Sequence, residues 1–118
     1  MKNTSNLTCD QLHQKAMDFA HMAVKAKKQG LKTEAQEHFD QAFNLEKQAA
    51  MTLAPDFNAE PSRSILFRSA AFLALQAQQY REAERMAAFG LIGQPPPEIA
   101  AELREAFQES QAHLKLVA

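Results

Sequence analysis

The stretch FAHMAVKAKKQGLKTEAQEHFDQA, residues 19–42, decides the fold. Phe19, Ala20, Ala23 and Val24 recur at helical spacing, Gly30 interrupts, and the same spacing resumes at Ala35, Phe39 and Ala42. That pattern predicts two amphipathic helices joined by a tight turn. Gly30 follows Lys25, Lys27 and Lys28, the position of a left-handed glycine closing a helix whose last turn carries cations.

Working outward, Thr8-Cys9-Asp10-Gln11 has capping-box spacing and starts helix 1 near Asp10. Its stripe adds Leu12 and Ala16. Thr33-Glu34-Ala35-Gln36 reads as a second capping box opening helix 2, which continues through Phe43, Ala49 and Ala50 to Leu53. Residues 54–59 read as a loop, and Pro61 as the first residue of a helix 3 that passes Ile65 and reaches Ala77. Helix 4 spans Tyr80 to Leu91, with Gly93 as its cap. Gln94-Pro95-Pro96-Pro97 forms a rigid connector. Helix 5 sets Ile99, Ala100, Leu103, Ala106 and Phe107 on one face, and Glu98, Glu102, Glu105 and Glu109 on the other. No strand pattern competes. The expectation is an all-α fold of about five antiparallel helices in one domain, 8–112, with a flexible N-terminus at 1–7 and a tail at 113–118.

Composition narrows the function classes. The 118 residues carry 13 Lys+Arg against 14 Asp+Glu, which disfavours a strongly basic nucleic-acid binder. Three Gly leave no Gly-rich phosphate loop, and one Cys excludes an intrachain disulfide. The longest apolar run, residues 70–75, is far shorter than the roughly 20 residues of a membrane span. The polar start MKNTSNLTCD lacks a signal-peptide core, so a cytoplasmic protein with a reduced thiol is expected. Charge is segmented: residues 1–33 hold six Lys and two acids, residues 34–60 one Lys and six acids.

Phe19, Ala23 and Ala35 recur 48 residues later as Phe67, Ala71 and Ala83. With Gly30, Phe39 and Ala42 in the first copy, and Tyr80, Gly90 and Pro95 in the second, the pattern resembles tetratricopeptide (TPR) repeats. The run from Glu60-Pro61-Ser62-Arg63 to Pro97-Glu98-Ile99 is similar to uncharacterised bacterial TPR-like proteins. The chain departs from the family's period of about 34 residues. Gln78 stands where Gly or Asn is usual, and Lys47 where Pro is. The resemblance implies two TPR-like hairpins, helix 5 as a C-terminal capping helix, and a concave face lined by the first helix of each hairpin. That face would bind a peptide or helix of another protein. It assigns His21, Val24, Lys27 and Lys28 from helix 1, and Arg68, Phe72, Leu75 and Gln76 from helix 3, to partner binding. Ala20 and Val24 occupy the places where a carboxylate-clamping subgroup has Lys and Asn, so that specificity is not supported.

Catalytic chemistry finds no support. Ser62, Ser64 and Ser69 lack a nucleophile-elbow context, and Cys9 has no His–Asp pair at a recognisable spacing. His13, His21, His38 and His113 show no metal-ligand spacing, although His21 and His38 could face each other across the turn. No carboxylate among Glu34, Glu37, Asp40, Glu82 and Glu84 sits in an apolar stretch that would raise its pKa for acid catalysis. No enzyme activity, cofactor or metal is therefore expected. Helix 3 is apolar almost all round, so it lies centrally, lines a groove or forms a homodimer contact. The rival reading is a regulator contacting nucleic acid through Lys25, Lys27, Lys28 and Lys32.

Overall fold

The computed structural model describes residues 6–117. Among them are five helices and no strand: α1 (Cys9–Lys28), α2 (Lys32–Leu53), α3 (Ser62–Gln76), α4 (Tyr80–Leu91) and α5 (Pro97–Val117). None is long and apolar enough to cross a membrane. The chain forms a slab of 40 × 38 × 23 Å, about two helix diameters thick. α1 pairs with α2 and α3 with α4, while α3 also packs on α2 and α5.

Thr8 caps α1 as its spacing predicts: its side chain accepts from Gln11 N at 3.1 Å, and Gln11 Oε1 accepts from Thr8 N at 2.9 Å. The capping box expected at Thr33 is absent. α2 begins earlier, with Leu31 at the N-cap and no side-chain cap. The preceding turn decides this. Leu31 N donates to Ala26 O at 2.9 Å and Gly30 N to Lys27 O at 3.1 Å, a Schellman closure that has already delivered the chain to helix geometry. Pro61 stands at the N-cap of α3 rather than inside it, after a cis Glu60–Pro61 bond. Pro97 belongs to α5, and that helix continues to Val117 through the stretch expected as a tail. Most of the N-terminus expected to be flexible lies outside the described residues; Leu7 packs partly against the core.

The two turns are copies of one geometry. In the second, Gln79 N donates to Ala74 O at 2.9 Å and Gln78 N to Leu75 O at 3.0 Å, each pair 48 residues after its counterpart. Gly30 has φ 77° and Gln78 φ 60°, both left-handed.

Small residues let the helices approach closely. Ala16, Ala23, Ala42, Ala49, Ala71, Ala83 and Ala106 are fully buried, with Phe43, Phe67, Met86 and Leu103 filling the spaces between. A Cβ at Gly90 would stand 2.7 Å from Leu103 Cδ2 and 3.1 Å from Phe67 Cβ, so α3, α4 and α5 converge there. α3 is central: α2, α4 and α5 cover it, which accounts for its apolar girth. The outer face of α5, with Glu98, Glu105 and Glu109 exposed, ends the stack in solvent.

Candidate functional site

An open feature of the slab lies between the two turns. The end of α1, the start of α2, the end of α3 and Gln78 enclose a groove of about 770 Å³. Lys27 and Gln76 stand on opposite sides, and the lining includes Phe39 and Ala35, both buried. An adjoining pocket of about 410 Å³ adds Val24 and Lys28 and shares Lys27, Phe39 and Gln76. Lys27 Nζ donates to Gln76 Oε1 at 3.5 Å across the gap.

Helix geometry explains how these residues meet. Val24, Lys27 and Lys28 lie at i, i+3 and i+4 on one face of α1. The Schellman turn then brings Lys32 and Thr33 alongside them. The back wall is tied by amides: Gln36 Nε2 donates to Ala77 O and to Asp40 Oδ1 at 3.2 Å, and Gln79 Nε2 donates to Asp40 Oδ1 at 3.0 Å. These bonds hold the N-terminal half of α2 against the second hairpin's turn. Lys25, Lys27, Lys28 and Lys32 are all exposed, and none forms an ion pair with another described residue. Glu37 contributes a carboxylate to the lining.

The structure divides the residues assigned to partner binding. Val24, Lys27, Lys28 and Gln76 come together in the groove. His21 is exposed on α1 outside its lining. Phe72 and Leu75 are half-buried and pack against the core. Arg68 donates to Glu102 of α5 at 3.2 Å, so its charge is met within the chain.

Three polar residues escaped the sequence reading. Glu46 is fully buried, with both carboxylate oxygens 2.9 Å from His13 Nδ1. Its signal was present, because Phe39, Ala42, Phe43, Ala49 and Ala50 share its stripe on α2. Arg63 is also fully buried: Nε donates to Ala54 O at 2.9 Å, and Cζ stands 4.8 Å from the Phe57 ring and 5.0 Å from that of Phe67. Glu60 accepts from Ser64 N at 2.9 Å and Gln94 N at 3.2 Å, joining the loop before α3 to the α4–α5 connector.

His38 stacks on Phe19 at 6.2 Å while His21 is exposed, and His113 stacks on Tyr80 at 4.1 Å. Among the described residues no three His, Cys, Asp or Glu side chains are grouped to hold a metal. Cys9 is half-buried and its thiol donates to Ala49 O at 3.5 Å. On α4, hydrogen bonds from Lys47 and Arg85 hold the Glu82 carboxyl below its ordinary range. No family model, curated protein or solved structure matches the chain.

Proposed function

We propose that this chain is a non-enzymatic, TPR-like protein-interaction module that receives a segment of a partner in the groove between α1 and α3. The observation that carries this reading is the groove itself. Two hairpins with the same turn lie side by side, yet their first helices leave an open channel with apolar surface and a charged, solvated rim. Equivalent turns 48 residues apart support the repeat reading. The longer α2 and the 54–61 connection account for the period exceeding the family's. On this reading the protein works as a cytoplasmic adaptor.

The exposed lysines at the end of α1 favour a second reading, contact with nucleic acid. The groove weighs against it as a site for bases, since Phe39 is only 6% exposed and offers no free ring for stacking. The deciding experiment is capture by a photo-crosslinking residue placed at Val24 or, on the outer face of α5, at Gln108. Proteins captured from Val24 and absent from Gln108 are expected. Identical protein sets from the two positions would remove the groove as the interaction surface.

A further inference from the structure

At the other end of α3 from the groove, Arg63 is fully buried and carries a permanent charge. Its Nε donates to Ala54 O at 2.9 Å. Nη1 and Nη2 are buried too, and neither has a hydrogen-bond partner among the described residues. No carboxylate among them pairs with the guanidinium. Glu60 faces Gly93, as Nη1 does, but its oxygens accept from Ser64 N at 2.9 Å and Gln94 N at 3.2 Å. A buried guanidinium whose two outer nitrogens are unmet is costly, and an anion at the Nη1–Nη2 fork removes that cost.

The cover over Arg63 is lightly held. Phe57 lies over the guanidinium, its ring centre 4.8 Å from Cζ, yet the residue is 45% exposed. Pro55, Asp56 and Asn58 are exposed as well. Among the described residues, the hydrogen bonds of 55–58 stay within the loop and its flanks. Asp56 N donates to Leu53 O at 3.0 Å, Ala59 N to Asp56 O at 3.1 Å and Asn58 N to Asp56 Oδ1 at 3.1 Å. None ties the segment to α3, α4 or α5, so the ring's contact with Arg63 is what closes it. Few ties and exposed backbone are the marks of a segment that opens locally.

We propose that residues 55–58 are a lid over a binding site for a small free monocarboxylate, which Arg63 holds through Nη1 and Nη2. Lifting Phe57 admits the ligand, and its return encloses it. The fork matches the two oxygens of a carboxylate. A tetrahedral phosphate needs further donors, and the neighbouring Ser64 N and Gln94 N are engaged by Glu60. The Phe57 and Phe67 rings make the surroundings apolar, which suits a short hydrocarbon tail rather than a second charge. Enclosure selects a free acid over a protein side chain, because Arg63 has no exposed surface across which a polypeptide can lie. This site is separate from the groove and does not depend on the interaction reading.

The test titrates the full, isotope-labelled chain with sodium butyrate, butyramide, sodium phosphate and an end-blocked Ala-Glu-Ala peptide, at ionic strength fixed with sodium chloride. Butyrate should shift the Arg63 Nε–H and the amides of Phe57, Gly93 and Gln94, with affinity about tenfold or more above that of the other probes. Arg63→Lys keeps the charge but loses the fork, and should weaken butyrate about tenfold. Phe57→Ala should leave the fold intact and weaken it about fivefold. Where Arg63→Lys does not fold, Phe57→Trp supplies the chain's single tryptophan, and butyrate but not butyramide should change its emission.

No shift around Arg63 with butyrate up to about 50 mM would overturn the proposal. Equal shifts with butyramide would overturn the need for a carboxylate. Tighter binding of phosphate, or of the blocked peptide, would overturn the choice of a free acid. Full affinity in Arg63→Lys would overturn the role of the fork, and full affinity in Phe57→Ala that of the lid.

Discussion

Gly30 and Gln78 occupy the same place in two copies of one turn, and they differ in what that place costs. A Cβ at Gly30 would meet nothing within 4 Å, so only the backbone opposes a side chain there. Gly30→Val is expected to lower stability by about 1 kcal/mol or more, read from the denaturation midpoint. Gln78→Gly relieves the same kind of strain and is expected to raise stability by about 0.5 kcal/mol, since added freedom in the unfolded chain offsets part of the gain. Glu82 makes a prediction in pH. Its carboxyl is held below the ordinary 4.5 by hydrogen bonds from Lys47 and Arg85, so the folded pKa lies below the unfolded one. Its contribution to stability is full above the unfolded value and is lost as pH falls through the folded value. The melting-temperature difference between wild type and Glu82→Gln should therefore be largest near neutrality and shrink as pH drops below about 4.5.

Elements meet through small residues and a few buried polar ties. Ala83 is fully buried, as a close helix approach requires, whereas Ala35, 5% exposed, borders the groove. Ala83→Leu is expected to cost about 1–3 kcal/mol by overpacking, checked by urea denaturation. A structure of the variant with α4 unmoved and the protein equally stable would show that the crossing has slack. The connections between hairpins depend on residues far apart in the chain. A Cβ at Gly93 would collide with Nη1 of the buried Arg63 and lie 3.2 Å from its Cζ. Gly93 thus leaves room for Arg63 to sit between the Phe57 and Phe67 rings, a role that a reading of Gly93 as a simple helix cap does not contain.

Across the whole molecule, residues that pack on the core, line the groove or tie two helices predict different phenotypes. Phe72 packs partly against the core, so Phe72→Ala is expected to destabilise the fold by about 2 kcal/mol, below the range for a fully buried phenylalanine. Val24 is 42% exposed beside the groove, so Val24→Glu should leave the melting temperature within about 1 °C and impair partner capture. Arg68→Ala should remove the link to Glu102 on α5 and leave partner capture unchanged, because Arg68 lies outside the groove lining. Calorimetry and capture by a crosslinking residue at Gln76, which leaves position 24 free for substitution, together separate these outcomes.

Helix number, the capping box at Thr8, the left-handed Gly30 and the alanine crossings were all legible in the sequence. Each rests on local periodicity or on a single residue's conformational range, which neighbours in the chain express directly. Of the groove, only the residues that the family resemblance assigned together were anticipated: Val24, Lys27, Lys28 and Gln76 line one pocket. Only the tertiary structure decided that Arg68 turns to Glu102, that Phe72 leans into the core, and that Lys32 and Gln78 join the lining. Only it placed His13 on the buried Glu46 and Arg63 beneath Phe57. Partners 33 or 34 positions apart leave no periodic trace, because their distance is set by how one hairpin leans on another rather than by the rise of any helix.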